Sequence, residues 1–446
     1  MSGPRKGARA LLSLGAVVVL AGGLLAAGAA FGGPTGDPGD SPSQAPAAVS
    51  ASSPTSPDAL AAGITRLQEE LKRVPANDQA WAELGAGYVQ QARITADPTL
   101  YGKADGAFAE SLRLRPEAND AALAGQASLE AARHEFAKAV QLCDQALQVN
   151  PYSSAALAVK VDGLIELGRY ADSRTVLDKL LRIRPGVDSF SRASYALELQ
   201  GDVDGARAAL ERALGTAQAP ADQAFVQHYL GELAWNSGDV DTAARSYDAA
   251  LAADPAYVPP LAGKARAEAA RGDVEAALTD YRAAVARQPQ PATLVELGEL
   301  LEASGRTAEA DQQYAVVRAT QQLYASSGQV VDAELSLFEA DHGDPAEAVR
   351  LAERAYAARP KSIIVQDAYA WALHAAGRDR EALPLARAAV RTGLHSASLS
   401  YHLGVVEQAV GHTPAARKAL SRALELNPAW NPLNAPRARA LLDSLS

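Results

Sequence analysis

The apolar positions of this chain fall at helical spacing. Trp81, Leu84, Gly85 and Tyr88 lie three, one and three residues apart, which puts them on one face of a helix. Ala104 and Phe108, four apart, share a face of a second helix. Pro116 ends that helix, because proline has no backbone N–H to continue the hydrogen-bond ladder. The arrangement then recurs. Glycines return at Gly168, Gly201, Gly238, Gly272, Gly305, Gly343, Gly377 and Gly411, with gaps of 33, 37, 34, 33, 38, 34 and 34 residues. A constant period of this length predicts a stacked array of helical hairpins in which each unit packs on its neighbours.

Each unit reads as two antiparallel helices with the glycine at the turn, where a left-handed backbone costs it least. Five residues on comes a small side chain, expected where the second helix crosses the first: Ala104, Ala139, Ala206, Ala243, Ala277, Ala310, Ala348, Ala382 and Ala416, with Ser173 the variant. Four further on comes a slot that is usually bulkier: Phe108, Cys143, Leu177, Leu210, Tyr247, Tyr281, Tyr314, Ala352, Ala386 and Leu420. His134 replaces the turn glycine of the second unit, and Asp97-Pro98 marks an enlarged turn in the first. Between Tyr314 and Asp332 the rhythm loosens, predicting a long helix and then a bend or hinge near Ser327. Amphipathic segments Leu60–Val74 and Pro436–Leu445 are expected to cap the two ends.

The run Trp81-x2-Leu84-Gly85-x2-Tyr88, followed by Ala104, Phe108 and Pro116, resembles the tetratricopeptide repeat. That resemblance covers the chain from Asp58 onward. It implies a right-handed α-solenoid of about ten antiparallel helix pairs, with an N-terminal part over 58–326 and a C-terminal part over 327–446. In such arrays the first helix of each pair lines a concave groove. Carried onto this chain, the lining is Tyr195, Glu198, Phe225, His228, Glu232, Trp235, Arg266, Glu299, Glu302, Asp367, Trp371, His374 and Tyr401. An aromatic, acidic groove with a single arginine would suit a peptide or protein with basic or apolar side chains. The resemblance thus implies a protein-interaction scaffold. The stretch LQEELKRVPANDQAWAELGAGYV also resembles the start of such domains in bacterial haem-protein assembly factors, which keeps envelope biogenesis or cytochrome c assembly as an alternative.

The amino-terminal end carries a different pattern. Arg5, Lys6 and Arg9 precede an uncharged apolar stretch running to Phe31. Residues 1–31 are therefore expected to be a signal peptide or a signal-anchor helix that places the repeats outside the cytoplasm. Residues 32–57 are rich in Pro, Ser, Gly and Ala and read as a disordered linker. A net charge of −10 argues against nucleic acid as partner. The single cysteine, Cys143, excludes an internal disulfide. The seven histidines show no metal-ligand spacing, and no phosphate-binding loop or nucleophile motif occurs. No enzyme activity, metal or cofactor is expected.

Overall fold

A computed structural model describes residues 57–328 and 330–445. The amino-terminal leader and nearly all of the linker read from the sequence lie outside the described residues, although Pro57, placed in the linker above, opens the first helix. Among the described residues there are 22 α-helices and no strand. The helix Pro57–Arg73 caps the start and the helix Asn434–Ser444 caps the end. Between them stand ten antiparallel pairs, from Asp78–Thr95 with Tyr101–Leu114 to Ala397–Ala409 with Thr413–Leu426. No helix among the described residues is long and apolar enough to cross a membrane.

The turns follow from local chemistry. Gly201, Gly238 and Gly272 adopt φ near +80°, at 76°, 77° and 88°. The aspartate after each accepts a hydrogen bond from a backbone N–H in the first turn of the next helix, from Gly205, Thr242 and Ala276 respectively. His134 holds the same left-handed conformation (φ 65°) where the glycine is missing. Gly343 departs from expectation: its φ is −141°, so this turn is built without a left-handed residue. In the first unit the insertion forms a short 3-10 helix, Pro98–Leu100, capped by the Asp97 carboxylate.

Packing within a unit rests on the small–bulky pair of the second helix. All nine alanines at the crossing position, and Ser173, are at most 1% exposed. The bulky slot works as a knob. The Phe108 ring fills a notch left by Gly85 in its own unit and Gly125 in the next, where an added Cβ would sit 2.6 and 2.2 Å from the ring. Tyr247 does the same between Gly231 and Gly263. One side chain thus binds two units, which is how helical pairs become a stack.

The stack winds tightly enough that successive superhelical turns touch. Gln288 Nε2 donates to the Arg93 carbonyl across 195 residues of sequence. Val330 N donates to the Arg133 carbonyl, and Asn427 Nδ2 to the Trp235 carbonyl. In the third pair (Ser154–Glu166, Tyr170–Ile183), the Tyr170 hydroxyl accepts from Ile363 N, at the head of the ninth pair (Ile363–Ala375, Asp379–Ala389). Arg359 bonds Glu166 at 2.9 Å and lies over the Phe136 ring. The turn inside each early unit therefore rests on the loop between units one superhelical turn later. The bend expected near Ser327 is one of these rungs: it follows the long helix Thr307–Ser326, and the nearby Val330 is tied to Arg133.

The glycines of these turns divide accordingly. A Cβ on Gly168, Gly201 or Gly238 would lie 2.1, 2.5 or 2.6 Å from the carbonyl oxygen of Lys361, Gly393 or Leu426, whereas Gly272 and Gly305 have open space. Gly272→Ala should cost about 1–2 kcal/mol for its left-handed backbone. Gly168→Ala should cost about 1–3 kcal/mol more, because two turns must separate. Urea denaturation of both variants measures the difference, and equal losses would contradict a packed contact between turns.

Candidate functional site

The inner face of the superhelix is where the repeat pattern places a ligand, and there the close winding matters most. Of the thirteen lining residues, Tyr195, Glu198, Phe225, Glu232, Trp235, Glu299, Asp367, Trp371 and Tyr401 are buried. His228, Arg266, Glu302 and His374 are partly buried, and none is exposed. The open trough read from the sequence is in this structure a largely filled interior.

Several charges in that interior are matched within the chain. Arg192, 1% exposed, donates through Nε and Nη2 to the two oxygens of Asp162 at 2.9 and 2.8 Å and also pairs with Asp188. Glu166 pairs with Arg359. Arg266 is bound to Glu232, whose same oxygen accepts from the Tyr247 hydroxyl at 2.8 Å. The groove is therefore not lined by one arginine: Arg192 and Arg359 also point inward. Sequence reasoning missed Arg192 although it lies one turn before Tyr195 on the same helix. Arg359 carried no signal, since it stands in a loop before Pro360.

The last units bury their polar groups against aromatic rings. Trp371 Nε1 donates to Asp341 Oδ1 at 2.9 Å. The His402 ring stacks on Trp371 with centroids 4.1 Å apart, while its Nδ1 lies 2.9 Å from Asp367 Oδ2. His374 packs on the same indole. Trp371, Asp367 and His374 are thus packed into the fold and do not face an open channel.

Burial without a counter-charge leaves clear electrostatic marks. Desolvation pushes the Glu198 carboxyl up to about 8; the Ser194 hydroxyl 3.4 Å away only weakly opposes this, and Glu232 adds a like charge. Burial brings His228 down to about 4, so its imidazole is neutral near pH 7.

Part of the inner face stays open. A cleft of about 350 Å³ runs between the fifth to seventh units and the carboxyl-terminal loop. It brings together Trp235, Arg266 and Glu299 with Tyr281, Glu296 and Trp430. Tyr281 hydrogen-bonds Glu296 at 3.1 Å. Glu296 sits one helical turn before Glu299, a spacing that could have flagged it. Trp430 comes from a non-periodic loop and had no such signal. The cleft holds aromatic surface and two carboxylates but no nucleophile–base pair, and no group of three metal-ligating side chains occurs among the described residues.

Comparison with known proteins agrees with this architecture. Two family models described as tetratricopeptide repeat match the chain, one over residues 130–198 and the other over 229–263 and 262–324. Together with the helix pairs seen throughout, they identify the chain as a tetratricopeptide-repeat protein. Repeats of this kind support a role as a protein–protein interaction scaffold. No curated protein matches the chain. Solved structures that resemble it include the APC/C hetero-tetramer Cut9–Hcn1, at 15% identity and TM-score 0.39 over 87% of this chain and 93% of that one. TTC0263, a tetratricopeptide-repeat protein of Thermus thermophilus, matches at 21% identity and TM-score 0.38 over 43% and 98%. YrrB, a tetratricopeptide-repeat protein with an unusual peptide-binding site, matches at 19% identity and TM-score 0.28 over 42% of this chain and 96% of that one.

Glu198 gives this interior a pH signature. Its folded pKa is raised above the unfolded value of about 4.3, so the folded chain keeps a proton that the unfolded chain releases. Its penalty is absent below the unfolded value, grows as pH rises, and is complete near the folded value of about 8. The urea midpoint should therefore fall between about pH 5 and about pH 8 by more in the native chain than in Glu198→Gln. Parallel falls would show that Glu198 is not held protonated.

Proposed function

We propose that this protein is a non-catalytic scaffold that holds an extended peptide or protein segment at the inner face of its superhelix, outside the cytoplasm. The observation that carries the reading is the one open cleft described on that face, walled by Trp235, Tyr281 and Trp430 and floored by Glu296 and Glu299. Its volume of about 350 Å³ takes one or two side chains rather than a folded domain. Arg266 is already committed to Glu232, and Arg439 donates to the Pro428 carbonyl. Burial raises the Glu296 carboxyl and holds that of Glu299 well above its ordinary range; a bound cation would draw both into the charged form, and the rings offer apolar and cation–π surface. A partner segment with lysine or arginine beside an apolar residue fits both. Location outside the cytoplasm is supported by the basic, then apolar, residues 1–31.

Glu232 is a poor place to test this, because its bonds to Arg266 and Tyr247 hold the interior together. Glu296 is the better position. A fluorescent peptide of alternating lysine and tryptophan should bind the native chain, and the glutamate counterpart should not. Glu296→Lys should weaken binding about tenfold, equivalent to ~1.4 kcal/mol, with the thermal midpoint as a check on folding. Equal affinity of native and variant at low salt would remove the cation-seeking cleft. A fusion of residues 1–57 to a reporter that is active only outside the cytoplasm checks the location.

A further inference from the structure

The carboxyl-terminal loop does more than join the last pair to its cap. After Leu426 the chain turns inward, and residues 427–433 (NPAWNPL), followed by the first turn of the helix Asn434–Ser444, lie along the inner face. Asn427 folds its own loop by accepting from Ala429 N, and its Nδ2 donates at 2.7 Å to the Trp235 carbonyl. Asn431 repeats the device. Its Oδ1 accepts from Leu433 N and Asn434 N, while its Nδ2 donates at 2.8 Å to Glu299 Oε2. Both asparagines and Trp430 are buried. Glu299 is a groove residue of the repeat pattern, so Asn431 makes in cis a contact that a bound segment would make, while Asn427 meets the main chain of Trp235.

The fit is incomplete. The open cleft runs along the edge of the loop. Glu299 Oε1, Trp430 Nε1 and Arg266 Nε are buried without a hydrogen-bond partner, the nearest histidine nitrogen, His342 Nε2, lying 3.6 Å from Glu299. A buried polar atom left unpaired weakens the state that contains it. A segment that pairs these atoms and fills the space would hold the groove better than the resident loop does.

We propose that residues 428–433 are a built-in occupant that keeps the inner groove shut, and that a partner segment enters by displacing them, offering N–H or cationic donors to Glu299 and an apolar side chain to the cleft. This rests on the scaffold reading for the partner's chemistry but not for the closure itself. Opening does not require the superhelix to unwind, because Asn427 stays seated on the Trp235 carbonyl, the cap helix begins at Asn434, and only the stretch between them has to move.

The test uses the full chain, Asn431→Ala and Trp430→Ala, with a labelled synthetic peptide of residues 427–436 as probe. Each variant should bind the peptide at least tenfold more tightly than the native chain. Hydrogen exchange in the helix Pro291–Ala303, which carries Glu299, should rise in the variants and fall back when peptide is added. Unchanged exchange, or equal binding by native and variant chains, including none by either, overturns the closure. If Trp430→Ala loses its circular dichroism signal, Asn431→Ala, which keeps the indole, decides the outcome. The two readings separate cleanly. Closure with no affinity for the lysine–tryptophan peptide in any chain leaves the occupant in place and removes the cation-seeking scaffold. Equal binding of that peptide by native and variant chains does the reverse.

Discussion

The contact between successive superhelical turns governs this molecule. A helical-hairpin stack ordinarily gains its stability from nearest neighbours alone. Here each early unit also rests on a unit nearly one full turn later, through carbonyl groups met by Gln288, Val330 and Asn427, through the Arg359–Glu166 pair, and through glycines that leave room for a carbonyl oxygen. These contacts convert a one-dimensional pile into a braced cylinder. They also set what the inner face can do, because most of the residues that would line a groove are buried against other parts of the chain.

Closing the cylinder puts charged residues into an interior with little water. Isolated buried charges are costly, and paired ones are tolerated when their remaining bonding positions are met. The chain follows that rule at Asp162–Arg192–Asp188 and at Glu232–Arg266–Tyr247. It departs from the rule around Glu198, and again at the junction between Glu299 and the carboxyl-terminal loop. Departures of this sort collect where a structure is adapted to something other than its own stability. The second lies beside the open cleft, which is why that stretch of the inner face, and not the filled part, draws the functional reading.

Much of the fold was legible in the residues. The alanine crossing positions, the bulky slot, the glycine turns, the ten pairs and both caps follow from spacing and propensity, and even His134 takes the conformation its position demands. Gly343 was misjudged because the turn there closes in another backbone geometry. The inner lining was read from the sequence as an open surface, whereas nine of its thirteen residues are buried and four partly buried. Local periodicity tells which way Trp235 or Glu299 points; it does not tell whether another turn of chain lies opposite. That depends on the rise and curvature summed over almost six units, and no single residue encodes it. Arg359 and Asn431 escaped notice for the same reason, since both stand in loops and act on partners 193 and 132 residues away.

The bracing also bears on how such a chain can change length over evolutionary time. Solenoids commonly grow or shrink by duplicating or deleting a unit, since one more copy merely lengthens the rod. In this protein an extra hairpin between Gly168 and Lys361 would carry every later loop past its seat, leaving glycine notches facing side chains and the Glu166 carboxylate without its guanidinium. Copy number between these seats is therefore locked by geometry, and drift is left to the surface residues and to the two ends.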